Sequence, residues 1–203
     1  MNVPNRLTLL RIALVPVFVV FMCVEAIPLR FVWALLVFIA ASVTDLLDGK
    51  IARKRNLITN FGKFLDPLAD KILVTSALVC FVELKWTASW VVIVILLREF
   101  AVSGVRLAAV SSEKNTVIPA NMWGKVKTVF TMVSIIAIIF MHILMSFSLI
   151  YDLSAFIPGI NPGGLAFPVQ IISDILMYLT AAITLISGVK YLFDYRSFID
   201  PKK

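Results

Sequence analysis

A chain of 203 residues that is 61% hydrophobic and only 15% charged has too little polar surface to enclose a water-soluble core. That excludes a soluble globular domain. With no basic soluble region to bind nucleic acid, the net charge of +7 is read instead as membrane topology, in one bilayer-embedded, all-α domain over residues 1–203.

Residues 1–10 are expected at the cytosolic surface, with Asn5, Thr8 and Arg11 at three-residue intervals on one side, a pattern that helix capping and charge anchoring also explain. The first apolar run lacks a small-residue cleavage pattern, so it reads as a span and not a signal peptide. Breaks at charged, Pro and Gly residues give six transmembrane helices near 8–27, 29–50, 64–84, 86–109, 126–149 and 167–192. The long connection before the last, roughly Ile150 to Ala166, holds Pro158-Gly159 and Pro162-Gly163-Gly164 and reads as an irregular loop. Cys23 and Cys80 lie in apolar stretches and are expected to act as small hydrophobes, and His142, deep in the fifth span, as a packing or far-interface residue.

Arg30 and Lys85 fall on one side of this layout and the other 17 of the 19 Lys and Arg residues on or toward the opposite side. The positive-inside rule then makes both termini cytosolic, in a multi-pass protein of the plasma or inner membrane. Trp33, Trp86 and Trp90 are expected at the far interface and Trp123 at the cytosolic one.

Charge intrudes on three spans at a similar depth. In the second, Phe31 to Thr44 supplies only 14 uncharged residues before Asp45 and Asp48, about 21 Å of helix against a hydrocarbon core of about 30 Å. The third carries Asp66, Asp70 and Lys71 in its cytosolic half, and the fourth turns from apolar to charged at Arg98 and Glu99. Ions at such depth are costly unless they face protein or water, so their convergence marks a functional site.

At about 100° per residue, Asp45, Asp48, Gly49 and Ala52 share a helix face, and Gly62, Asp66 and Asp70 form an i, i+4, i+8 stripe. Pro67 predicts a kink, or a helix that starts near Asp66. Four carboxylates crowded at low dielectric repel one another, and a divalent ion relieves this. With no Cys or His nearby, the all-oxygen set favours Mg²⁺ or Mn²⁺. Two aspartates are as readily a buried polar patch, but four are not. A proton or cation transporter also uses such carboxylates, though here they gather at one end of the membrane and the spans show no inverted repeat.

Read in order, Asp45-Leu-Leu-Asp48-Gly49-Lys-Ile-Ala52-Arg53, eight residues, Gly62, three residues, Asp66, three residues and Asp70 resembles the CDP-alcohol phosphotransferase signature. The resemblance implies a CDP-alcohol phosphotransferase-like six-span fold and a homodimer. It implies that Asp45, Asp48, Asp66 and Asp70 hold two divalent cations, with Asp70 also the general base. Gly49, Ala52, Arg53 and Gly62 would lie around the CDP moiety of CDP-diacylglycerol.

Three further segments are similar to the branch of that family that makes phosphatidylglycerophosphate: Pro4-Asn5-Arg-Leu-Thr8-Leu-Leu-Arg11, Arg98-Glu99-Phe-Ala-Val-Ser-Gly104-Val-Arg106, and Gly124-Lys125-Val-Lys127-Thr128. This implies sn-glycerol 3-phosphate as acceptor and CMP as the second product. Asn5 and Thr8 would stand on the CDP-lipid side, and Arg98, Arg106, Lys125 and Lys127 would take the acceptor phosphate. More cations than the donor diphosphate needs fit a second anion, although the positive-inside rule alone accounts for Lys125 and Lys127 equally well. Inositol phosphate or serine is the alternative acceptor.

Overall fold

The computed structural model describes the backbone of residues 3–55, 60–111, 122–151 and 166–194, and within these the side chains of 7–44, 68–69, 71–105, 122–147 and 166–194. Among the described residues there are six α-helices and no strand: α1 (Val3–Cys23), α2 (Arg30–Arg55), α3 (Asn60–Glu83), α4 (Ser89–Ser111), α5 (Met122–Tyr151) and α6 (Ala166–Asp194). Each expected span coincides with one helix. α5 and α6 are long and apolar enough to cross a membrane by themselves, and Leu7–Cys23 of α1 and Arg30–Thr44 of α2 are shorter apolar helices.

Two boundaries differ from expectation. α1 begins at Val3, so residues 3–10 continue into the first apolar helix, and Thr8 and Arg11 are wholly buried rather than spread on a surface. α3 begins at Asn60, so Asp66 and Pro67 both fall inside it. A proline removes one ladder hydrogen bond without forbidding the rest, and the apolar run from Ile72 onward holds the helix regardless.

The helices bury narrow seams and expose broad apolar faces. On α1 the buried positions are Thr8, Arg11, Val15, Phe18 and Met22, alternating steps of three and four. On α6 they are Ser173, Met177, Thr180, Thr184, Ser187 and Tyr191, with Ala181 and Gly188 beside them. The opposite face of α6 exposes Ile172, Ile175, Leu179, Ile186 and Phe193. Small and hydroxyl-bearing residues inside with large apolar ones outside is the reverse of a soluble helix. It is what packing in lipid selects, where backbones gain by close approach and apolar faces need no cover.

Residue contacts divide the chain into two compact units. Unit 1 comprises residues 1–85 and 135–170. Here α1 packs along both α2 and α3, with Phe18 and Phe38 rings 5.7 Å apart and tilted by 50°. Cys23 and Cys80 are both free thiols, their sulfurs 3.9 Å apart. His142 is buried and donates from Nδ1 to the Ile138 carbonyl at 2.9 Å, in keeping with a packing role.

Leu29 (φ 54°) before α2 and Lys85 (φ 59°) after α3 occupy the left-handed region, as residues at helix ends often do. Arg30 pairs with Glu25 at 3.5 Å and lies over the Phe31 ring at 4.6 Å.

Unit 2 comprises residues 86–134 and 171–203, hence α4 and the adjoining parts of α5 and α6. Its core includes Val91, Val92 and Ile95 of α4 and Thr131 and Ser134 of α5, with the α6 seam. Trp90 stacks on Tyr178 at 5.6 Å, both exposed as an aromatic belt requires, whereas Trp86 is buried and so departs from the expected belt.

Candidate functional site

The acidic residues belong to unit 1. Asp45, Asp48, Gly49, Ala52 and Arg53 lie on α2, and Gly62, Asp66 and Asp70 on α3, both continuous helices through these positions. The side chains of these eight, and those of Asn5 and Arg106, lie outside the described residues.

Backbone placement still fixes their level. Only residues 56–59 separate α2 from α3, a reach of at most about 18 Å from Arg55 to Asn60, so α3 starts near the end of α2. At about 1.5 Å per residue, Asp45 stands about 22 Å from the start of α2 and Asp70 about 20 Å from the end of α3. On α1, Thr8 stands about 22 Å and Arg11 about 18 Å from its C-terminal end. The four aspartates therefore converge on one end of unit 1, at the level where α1 buries the Arg11 guanidinium.

The donor set at this end is all oxygen. Neither cysteine belongs to it, since Cys23 and Cys80 lie toward the opposite ends of α1 and α3, and His142 is occupied within α5. These residue types suit hard divalent cations better than zinc.

The basic residues Arg98, Arg106, Lys125 and Lys127 belong to unit 2. Arg98 on α4 donates from Nη1 to Glu99 Oε1 at 3.2 Å and from Nη2 to Ser187 Oγ on α6 at 2.7 Å. Lys127 on α5 forms an ion pair with the same Glu99 oxygen. All three charged side chains are largely buried, Arg98 being 10% exposed, Glu99 20% and Lys127 7%. Among the described residues, two cations against one carboxylate leave one positive charge over, and the buried Arg98 Nε has no hydrogen-bond partner. Both features are costly in a low-dielectric interior, and both are answered by an anion.

Lys125 is exposed. The expectation grouped four basic residues, and the structure brings two of them, Arg98 and Lys127, onto one carboxylate. Sequence reading missed Glu99 as the group joining them, and Ser187 and Gly188 as the α6 residues against Arg98. A serine and a glycine carry no charge signal. The one cue was a glycine inside an apolar helix, which often marks close approach.

Comparison with known proteins agrees with the acidic pattern. The family model for CDP-alcohol phosphatidyltransferases matches residues 1–186. The chain is 38% identical over 201 residues to a Bacillus subtilis protein named CDP-diacylglycerol–glycerol-3-phosphate 3-phosphatidyltransferase, covering 94% of this chain and 93% of the relative. Proteins of the same name from Rickettsia bellii, 33% identical over 192 residues, and Haemophilus influenzae, 34% identical over 200, are also similar. They cover 94% of this chain and 93% and 91% of the relatives.

Proposed function

Because this chain belongs to the CDP-alcohol phosphatidyltransferase family, and is thus a polytopic, all-helical membrane transferase, we propose that it transfers the phosphatidyl group of CDP-diacylglycerol to sn-glycerol 3-phosphate. The products are phosphatidylglycerophosphate and CMP. What carries the reading is the run of spaced aspartates from Asp45 to Asp70, which α2 and α3 bring to one end of unit 1. The relatives' shared name supports glycerol 3-phosphate over serine or inositol phosphate. Membership of a transferase family counts against a cation pathway for the same carboxylates.

Asp45, Asp48, Asp66 and Asp70 would hold two divalent cations, Mg²⁺ or Mn²⁺. When bound, these neutralise the donor diphosphate and the charge that develops as CMP departs. Asp70 accepts the proton of the acceptor hydroxyl as its oxygen attacks the lipid-bearing β-phosphorus. The bond from that phosphorus to the bridging oxygen breaks, and CMP leaves with the electron pair. Gly49, Ala52 and Gly62 leave room for the cytidine diphosphate beside the backbone, Arg53 contributes charge, and Asn5 and Thr8 stand on the CDP-lipid side. Arg98, Arg106, Lys125 and Lys127 receive the acceptor phosphate.

The protein acts in phospholipid synthesis as a homodimer in the plasma or inner membrane. The distribution of Lys and Arg supports cytosolic termini and a cytosolic active end.

Purified protein incubated with CDP-diacylglycerol, Mg²⁺ or Mn²⁺ and a panel of alcohols is expected to release CMP with glycerol 3-phosphate. Release should stop when a chelator removes the cations and return on their re-addition. CMP formed with serine or inositol phosphate in its place would overturn the acceptor, and none with any alcohol would overturn the reaction.

A further inference from the structure

Gly188 makes the closest approach recorded for any described glycine. A Cβ placed there would stand 2.6 Å from Arg98 Cγ and 3.2 Å from its Nε, well inside contact distance. The conflict falls near the root of the arginine, so swinging the guanidinium tip aside does not relieve it; the whole side chain has to leave its rotamer. One residue earlier, Ser187 Oγ accepts from Arg98 Nη2 at 2.7 Å. Adjacent residues of α6 thus act on Arg98 twice, one by leaving it room and one by holding its end.

The same arginine is tied through Glu99 to Lys127. Among the described residues, three helices meet on one excess positive charge, and the buried Arg98 Nε has no hydrogen-bond partner. Had the cluster served packing alone, two well-paired charges would have been enough, and a second buried cation would add only its desolvation. The excess fits a phosphate monoester, which brings two negative charges and several acceptor oxygens.

We propose that Ser187 and Gly188 are positioning residues for acceptor selection, fixing Arg98, with Lys127 tethered through Glu99, as the paired cations that receive the acceptor's phosphate. This rests on the phosphorylated-acceptor reading above and extends it to α6, where no basic residue announces a role. Gly188 gives the space that a methyl group would fill. Ser187 sets the azimuth of the guanidinium, and Glu99 keeps the two cations from separating.

The test is steady-state CMP release in matched vesicles by the full-length protein and by Gly188→Ala, Ser187→Ala and Ser187→Thr, with donor and acceptor varied separately. Gly188→Ala is expected to raise KM for glycerol 3-phosphate by about tenfold or more, and Ser187→Ala by about threefold to tenfold, the range for weakening one charge-assisted contact. KM for CDP-diacylglycerol should move less than about twofold, and Ser187→Thr, which keeps the hydroxyl, should restore acceptor affinity. Inhibition by inorganic phosphate should weaken in parallel with acceptor affinity. Alanine favours helix over glycine, so Gly188→Ala need not unfold α6.

Donor and acceptor KM rising together, or Ser187→Thr failing to rescue, would reduce these residues to packing and overturn the proposal. So would an acceptor KM that neither alanine variant moves, in which case the reading of the acceptor still stands. A wild-type protein that uses glycerol as well as glycerol 3-phosphate would sink the acceptor reading itself.

Discussion

The acidic end of unit 1 and the basic cluster of unit 2 are opposite in more than sign. The aspartates come from one helical hairpin, 26 residues from first to last, a run of like charges that calls for cations to offset it. The basic cluster draws Arg98, Lys127 and Ser187 from three helices and carries its own counter-charge in Glu99, leaving a single charge over among the described residues. A site built from like charges depends on the cations it would bind whether or not substrate is present. A mixed cluster is largely satisfied at rest and can be tuned by geometry. The first should therefore govern turnover and the second affinity.

The largest effect should come from the acidic side. Asp70→Asn keeps size and polarity but cannot accept the acceptor's proton, and CMP formation is expected to fall by about 10²–10⁴, the usual span for general-base removal. Expression and CDP-diacylglycerol binding should persist. Turnover at the wild-type rate would remove Asp70 from its role, and with it the claim that the acidic end sets kcat.

A smaller and differently shaped effect is expected on the basic side. Arg106→Gln should raise KM for glycerol 3-phosphate by about tenfold, the equivalent of one charge-assisted hydrogen bond, while KM for an unphosphorylated alcohol changes little. The two acceptors assayed side by side decide the matter. If both lose equally, Arg106 serves topology or folding, and the division between turnover and affinity does not extend to it.

How far each region could be read in the sequence follows from the same contrast. The aspartate stripes are local: intervals of three and four on a helix state their own geometry, and α2 and α3 run unbroken through them. The six spans were legible because apolar length is nearly the whole code in a bilayer. Arg98 and Lys127 were visible as charges out of place, but their meeting on Glu99 depends on the packing of α4 with α5, which no spacing in the chain encodes. Gly188 and Ser187 were hidden because their effect is steric and relayed through another side chain. The burial of Trp86, and of Thr8 and Arg11 in an α1 that starts at Val3, escaped for a related reason. Aromatic and basic residues near a span's end look alike whether they face headgroups or a neighbouring helix.

The smallest expected effect separates polar residues that pack from those that receive substrate. Within unit 2, Thr180 Oγ1 approaches Ser134 Oγ at 3.2 Å across α6 and α5, and it also donates to the Leu176 carbonyl of its own helix at 2.8 Å. Truncating either partner leaves the other with a fallback, since a hydroxyl in a helix can return to the carbonyl four residues earlier. A double-mutant cycle of Thr180→Ala and Ser134→Ala, read by unfolding in bicelles, should thus give a coupling of about 0.6 kcal/mol, the ordinary value for a hydrogen bond between membrane helices. KM for both substrates should stay as in the wild type. Were this pair instead to move acceptor KM as strongly as Ser187→Ala, the hydroxyls of the α6 seam would act as one network, and selection could no longer be assigned to the turn of helix that meets Arg98.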